Sequence, residues 1–597
     1  MITSWQRDNV PASDLRTRPA IVGMLTVLTV RLGVAFAMTV PIVQPDEGAH
    51  LGIAHYLAHG SGLPASSAPY NPGLGVVLTP FSWLFPEPLG LYRCALVVNA
   101  LLGVVAFVFM VSLARRLAPE RSHTQRVAAA AIVALAPALV SSSGLANVSS
   151  LFVAGSLGVA LLVARAWEAD RVRRWAVVGA AAGALTAVHP TATPLAIGVF
   201  IGACFGLARD RDRSAIRVAR RRMFGLAVGA GPVVIASLIL ATRVRDATPV
   251  VLSGQTNSRL GQAAGLVGTA LSRHHVSGLV AETAGQFLYL TASTASLFLI
   301  GMMAGLASFR AALRSPQASI GVLIRAYAAA VSLVTIIASV FVINPPDNSP
   351  LESYLYGRYN EHVFALVVLI GLVNCLSPRN DRTLWTRPRT LGVVGIALTG
   401  AFIAIVAGRP GNQLEQRQDV LGLAAPFYAL EKLGHITLPW VTAVMVTCGV
   451  GGWVAIAVAT RSGGPWAVLG VATFTTLTLA APGVVILAKG STARSLEHNL
   501  APRIVAAAAD APDHCVGYSG ELAADWHLFN YQFLLPTQRF KIVLDAAPTK
   551  DAQICRNALL AGSNDPLPKA LGLTEVAREH TTALPDVVLY ARPNSGN

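Results

Sequence analysis

The chain has 597 residues, of which 53% are hydrophobic and 13% charged, with a mean hydropathy of +0.56. A soluble enzyme needs roughly a quarter of its residues charged to cover its surface, so that class is excluded and lipid is the solvent for most of the chain. The formal charge is +16, yet residues 491–597 hold nine Lys/Arg against eleven Asp/Glu; the basic excess sits in short runs between apolar segments, a pattern of membrane topology that argues against a nucleic-acid partner.

Arg7, Arg16 and Arg18 precede an apolar run over 21–40, which predicts a cytoplasmic N-terminus and a first span leading outward. Ala35-Phe36-Ala37 mimics a signal-peptidase site, but Arg31 interrupts the apolar stretch and many apolar segments follow, so the run reads as an uncleaved anchor. At its depth Arg31 is expected to face protein or water rather than lipid. Gln44-Pro45-Asp46-Glu47 then sets two adjacent carboxylates ahead of a short amphipathic helix over 49–59. Residues 60–72 read as loop, 73–85 as an interfacial or re-entrant stretch, and 89–113 as the second span, ending inside at Arg115-Arg116.

Further apolar segments lie at 127–145, 148–163, 175–188, 193–207, 224–241, 286–308, 323–343, 362–376, 393–407, 438–459 and 466–487. Arginine-rich connections such as Arg171, Arg173, Arg174 and Arg220 to Arg222 alternate with connections nearly free of arginine. The expected architecture is an α-helical polytopic membrane protein of about 13 transmembrane helices over residues 1–490, in the plasma (inner) membrane. Its outer loops are 41–88, 243–285, 344–361 and 408–436.

Residues 491–597 read as a small extracytoplasmic α/β domain, with helices over 493–509 and 523–533 and strands over 515–518, 540–544 and 585–590. It carries no phosphate-cradling glycine motif. Four cysteines fall in apolar segments; Cys515 and Cys555 lie in this tail, where an oxidising compartment would join them as a disulfide, the alternative being two buried thiols.

Neighbouring residues on a helix point about 100° apart, so one of Asp46 and Glu47 can face a cavity while the other caps the helix start. His50, His55 and His59 follow, the last two on one helical face, but a zinc site needs a third apt ligand. Asn147 and His189 close the outer ends of spans. The order of an outward first span, an acidic pair, a helix, the loop Tyr70-Asn71-Pro72-Gly73-Leu74, an interfacial stretch and Tyr92-Arg93 opening the second span resembles the GT-C superfamily of membrane glycosyltransferases over residues 20–210. Tyr356-Gly357-Arg358-Tyr359 is similar to arginine-tyrosine loops in several of its families.

The resemblance implies a polyprenyl-phosphate-linked sugar as donor and a catalytic acid in the first outer loop, by position Asp46, with Glu47 as its neighbour. Some members use a divalent metal at paired acidic motifs; no second acidic motif stands in a matching place here, which leaves metal dependence open. Independently of the family, sugar transfer to a hydroxyl needs a carboxylate to take the acceptor proton and positive charge to hold the departing phosphate. Asp46 suits the first role; Arg358, Arg243 and Arg245 suit the second, unless each simply pairs with a nearby acid. His50, Tyr70, Arg93 and Tyr359 complete the expected substrate-binding set. The expected function is transfer of a sugar to an envelope glycan, lipid or protein acceptor at the outer face. A transporter or lipid flippase would instead keep its chemistry at mid-bilayer, and a non-catalytic scaffold with a glycan-binding tail would have no use for the acidic pair.

Overall fold

The computed structural model describes the chain apart from residues 1–16, 42–43, 62, 64–69, 190–191, 206–212, 249–275, 315–317, 343–360, 378–397, 402, 404–437, 500–501, 510, 512–513, 520–530, 532–533, 536–537, 544–554, 556, 580–586 and 593–597. Arg358, Tyr359, the expected helix over 523–533, the loop 408–436 and most of the expected span 393–407 therefore lie outside the described residues. What is described is a helical membrane body followed by one small sheet.

The first helix, α1 (Arg18–Ala37), starts on a proline in its first turn, where the missing N–H is no loss. It is followed by α2 (Gln44–His59) and α3 (Gly73–Leu84). The helix α2 begins earlier than the sequence pattern suggests, so Asp46 and Glu47 fall inside its first turn, where carboxylates meet free N–H groups and the positive dipole end. Next come α4 (Pro88–Leu117), α5 (His123–Ala134) and α6 (Pro137–Ser141), the last continued by a 3₁₀ turn over Ser142–Gly144. A capping box between Ser122 and Gln125 starts α5, and Pro137 breaks the span, so that α5 and the Pro137–Gly144 segment meet at 64°.

The body continues through α7 (Ser149–Ala169), α8 (Val172–Val188), α9 (Ala192–Ala203) and α10 (Arg213–Ala247). Glycines bring α8 and α10 together: a Cβ on Gly225 would come within 2.7 Å of the Val172 carbonyl oxygen, and one on Gly183 within 3.2 Å of the Ala230 carbonyl oxygen. Small residues four apart let backbones touch where lipid offers no hydrophobic drive. At one end of this pair the Arg222 guanidinium binds Asp170 at 2.8 Å and the Ala203 and Phe205 carbonyls at 3.1 Å, so one side chain joins α10 to the ends of α7 and α9.

Then follow α11 (Val276–Ser293), α12 (Leu297–Arg314), α13 (Ile320–Val342), α14 (Glu361–Leu376), α15 (Leu438–Ser462) and α16 (Gly464–Asn499). The expected single span over 286–308 is in fact two helices, α11 and α12, bent by 115°. Ala295 and Ser296 take left-handed backbone conformations at the bend, held by the Ser296 hydroxyl on the Gly449 carbonyl at 2.6 Å. Among the described residues seven helices are long and apolar enough to cross a membrane, or up to nine if each bent pair is one span. This is a multi-pass membrane protein. Of the thirteen expected, 175–188, 193–207 and 362–376 form helices too short to pass alone, and most of 393–407 lies outside the described residues.

The helix α16 runs through residue 490 without a break, and a new helix, α17 (Pro502–Ala509), begins at a proline. The sheet comprises β1 (Cys515–Ser519), β2 (Arg539–Val543), β3 (Ala558–Gly562), β4 (Thr574–Glu579) and β5 (Val587–Ala591) in the order β2-β1-β3-β5-β4. Strand β1 pairs in parallel with β2 and β3, and β5 runs antiparallel to β3 and β4. Strands β3 and β4 were not expected: β3 is a short Ala/Leu run with no alternation, and β4 is an exposed edge. Ile504 and Ala508 of α17 pack with Val516, Tyr518, Leu560 and Leu589 in the domain core. Cys515 and Cys555 are joined, with Cα atoms 4.9 Å apart.

Candidate active site

The first turn of α2 lies at a junction that several elements hold in place. The exit of α1 is tied down by α4, whose Tyr92 hydroxyl donates to the Val40 carbonyl at 3.1 Å and whose Arg93 guanidinium donates to the Met38 carbonyl at 2.6 Å. It is also tied to α16: the Ser491 hydroxyl accepts from the Thr39 and Val40 amides at 2.8 and 3.0 Å, and the Thr39 hydroxyl donates to the Ser491 carbonyl at 2.9 Å. The backbone over residues 38–40 is therefore held from two sides, its polar groups satisfied by α4 and α16.

The two carboxylates then diverge, as their helical offset requires. Glu47 is fully buried, and its Oε1 accepts the Ala146 backbone N–H at 2.6 Å. That amide belongs to the turn between α6 and α7, which Asn99 of α4 grips by donating to the Leu145 carbonyl at 2.6 Å and the Asn147 carbonyl at 3.3 Å. Asn147 adds a local turn of its own, its side-chain oxygen accepting the Ser149 amide at 3.0 Å. Glu47 is thus built into the fold. Asp46 is half-buried and accepts the Tyr70 hydroxyl. The Tyr70 ring meets the ring of the buried His50 edge-on, with centroids 5.3 Å apart. Asp46 is thus the carboxylate of the pair that keeps partial exposure, with Tyr70 bonded to it and His50 against the Tyr70 ring.

The far end of α10 reaches the same place. Val244 is buried in a small cluster with Ile53 of α2 and Leu63, and Tyr56, Leu57 and Tyr70 pack around it. The flanking Arg243 is exposed, and Arg245 is partly exposed, its Nε 3.7 Å from the Asp246 carboxylate. Packing of Val244 sets the end of α10 beside Tyr70. Of the expected set, the structure thus gathers Asp46, Glu47, His50 and Tyr70, while Arg243 and Arg245 flank the α10 residue that packs beside Tyr70. Arg93 instead holds the end of α1, and Arg358 and Tyr359 lie outside the described residues.

His55 and His59 lie with ring centroids 4.6 Å apart, and each bonds a backbone carbonyl, Ser61 at 3.0 Å and Ser82 at 3.2 Å. Among the described residues no group of three or more His, Cys, Asp or Glu side chains is placed to hold a metal. Burial, with the His59 ring adding to it, pushes the His55 imidazole below its ordinary value of 6.5, against the opposing pull of the Ser61 carbonyl. His189 sits against Phe152 with centroids 6.1 Å apart. Arg31 is buried in protein, bonded to Ser143 and to the Ala134 carbonyl at 2.9 and 3.3 Å.

Two contributors escape sequence reading. The Ala146 amide is a backbone group with no residue-type signal. Ser491 falls where the pattern suggests the tail begins.

Residues 92–239 match the family model described as dolichyl-phosphate-mannose-protein mannosyltransferase. No curated protein matches the chain by sequence. In fold, the chain is similar to ArnT from Cupriavidus metallidurans, solved in the apo state and bound to undecaprenyl phosphate. In both comparisons the identity is 16% and the TM-score 0.51, with 96% of this chain covered and 97% or 98% of the other. The Archaeoglobus fulgidus oligosaccharyltransferase is a more distant match, at 13% identity and a TM-score of 0.44 over 98% of this chain and 75% of that one.

Proposed function

We propose, from the GT-C membrane fold that this chain has, that it is a membrane glycosyltransferase moving a hexosyl or pentosyl group from a polyprenyl-phosphate donor to a hydroxyl of an envelope glycan, lipid or protein. The observation that carries the reading is the half-buried Asp46 carboxylate, bonded by Tyr70 beside the buried Glu47; Arg243 and Arg245, which flank the Val244 packed beside Tyr70, are proposed at its rim. The bound undecaprenyl phosphate of ArnT supports a lipid phosphate as the carrier.

In the transfer step the acceptor O–H loses its proton to Asp46 as the acceptor oxygen bonds the sugar C1. The bond from C1 to the phosphate oxygen breaks, and the polyprenyl phosphate departs with the electron pair. Guanidinium groups at the rim favour that departing charge, and planar paired donors suit its oxygens. Glu47 keeps α2 seated through Ala146, so Asp46 stays aimed. Arg358 and Tyr359 are proposed to join the phosphate site from their own loop.

The acidic helix lies at the extracytoplasmic face in this reading. Support comes from α4: Tyr92 and Arg93 at its start bind the end of α1, whereas Arg115 and Arg116 at its other end stand about 35 Å away along the helix. Arg222 and Arg116 cluster with Asp170 and Glu168 at that basic end, as cytoplasmic ends require. The sheet domain then stands outside, where a Cys515–Cys555 disulfide persists.

The decisive assay uses the purified full chain in nanodiscs, a panel of undecaprenyl-phosphate-linked hexoses and pentoses, and glycan, lipid and protein fractions of the envelope as acceptors. Asp46→Asn should abolish the transfer that the wild-type chain performs while leaving the fold intact. Wild-type rates from Asp46→Asn would remove Asp46 as the base, and no transfer from any donor by the wild-type chain would overturn the function.

A further inference from the structure

We propose that Arg31 is a positioning residue for the acidic pair, acting through the broken α5–α6 span; the proposal rests on the glycosyltransferase reading only for its kinetic consequence. Arg31 is 2% exposed, within a membrane-crossing helix, and among the described residues no carboxylate pairs with it. A buried cation without a counter-charge is costly, so the contacts it does make need a reason.

Those contacts fall on the two sides of one break. The guanidinium donates at 3.3 Å to the carbonyl of Ala134, the last residue of α5. Pro137 stops that helix from continuing, and a helix C-terminus both leaves carbonyls over and favours positive charge. The other donor goes at 2.9 Å to the hydroxyl of Ser143, in the 3₁₀ turn that ends the second half of the broken span. One rigid fork thus spans the 64° bend. The Nε lies buried with no partner among the described residues, so the fork is aimed by geometry rather than by saturating its donors. Gly103 of α4 makes room for it, since any Cβ there would collide with the guanidinium.

Three residues after Ser143 comes Ala146, whose amide is the Glu47 partner. The path is therefore covalent and short: Arg31 sets the bend, the bend sets the turn, and the turn sets where Glu47 and the first turn of α2 can sit. Asn99 holds the carbonyls on either side of Ala146, so the turn has one anchor on α4 and another through Ser143 on α1. Removing the Arg31 fork leaves the Ala134 carbonyl and Ser143 hydroxyl without this donor in a dry interior, and the turn loses its tie to α1 while keeping Asn99 and the Ser142–Ser150 hydroxyl pair at 2.9 Å.

The test reads backbone protection directly and does not depend on knowing the sugar. Arg31→Met and Ser143→Ala are prepared as full chains in nanodiscs, and hydrogen–deuterium exchange is followed in peptides covering 138–150, 44–60 and, as a control, the β1 to β5 region. Loss of a charge-assisted bond should speed exchange around Ala146 and the start of α2 by about tenfold, with the sheet region unchanged. Unchanged protection around Ala146 in both variants overturns the proposal. Should Arg31→Met fail to fold, Ser143→Ala alone decides by the same criterion, because it removes only a hydroxyl.

With a working donor, a displaced acid pair should lower kcat by about 100-fold in Arg31→Met while changing KM far less. Glu47→Ala should make the Arg31 substitution almost silent, since both act through one link. Independent, multiplying effects would overturn the coupling. Absence of any transfer by the wild-type chain would defeat the functional reading alone, and the exchange measurement would still decide the role of Arg31.

Discussion

Tyr70→Phe removes a contact proposed to aim the base, the Tyr70 hydroxyl on Asp46. The substitution keeps the ring, and with it the edge contact to His50 and the packing around Val244, and deletes only the hydroxyl that donates to Asp46. A hydrogen bond to a charged group is worth about 1.5–3 kcal/mol when buried, but Asp46 is half-exposed and water replaces part of the loss, which leaves about 1–2 kcal/mol. If that bond holds the carboxylate in its reactive orientation, the same energy appears in the barrier and kcat falls about 5- to 30-fold. The measurement is steady-state transfer from the best undecaprenyl-phosphate sugar of the panel, with kcat and KM separated, on Tyr70→Phe, Asp46→Asn and their combination. Once Asp46 is replaced, losing the hydroxyl should do little more. A Tyr70→Phe enzyme with wild-type kcat, or one whose defect multiplies fully with that of Asp46→Asn, would refute the reasoning.

Other outcomes follow from the same contacts. Because burial depresses the His55 imidazole, the unfolded chain binds its proton more readily than the folded one; the stability this site contributes is complete above the ordinary value of 6.5 and is lost as pH falls through the depressed folded value. Acidification from pH 7.5 to 5.5 should therefore lower the unfolding temperature, and His55→Gln should flatten that dependence. Replacing Cys515 and Cys555 together by serine opens a loop closed across 40 positions, about 4 kcal/mol in the chain-entropy account, and should expose the sheet region to protease while the membrane helices stay resistant. Gly229→Val would press a side chain to within about 2.6 Å of the Ala176 carbonyl carbon, and overpacking of about 1–3 kcal/mol should show as a lower yield of monodisperse protein.

Much of this molecule is legible one residue at a time. Arg18 ahead of an apolar run, the Ser122 capping box and the prolines that open α1, α4, α6 and α17 act through local sterics and hydrogen bonding, so local sequence signals mark these helix starts. The 115° bend at Ala295 and Ser296 is different. Neither residue signals a left-handed backbone, and the bend exists because α15 supplies the Gly449 carbonyl to Ser296. The strands β3 and β4 were missed for a related reason: an Ala/Leu run and an exposed edge become strands only when β5 pairs with both.

The acidic pair divides along the same line. That the chain lives in lipid, that Asp46 and Glu47 stand at a helix start just past the first span, and that Tyr70 and the arginines after position 242 share their neighbourhood in topology are consequences of hydropathy and helical geometry, which the sequence carries in full. Which carboxylate the fold buries is not, since the two residues differ only by one methylene and 100° of rotation. Tertiary structure decided that, by burying Glu47 against a backbone amide ninety-nine residues away and leaving Asp46 half-buried beside Tyr70. A backbone N–H has the same chemistry at every non-proline position, so only the fold can say which one a carboxylate will meet.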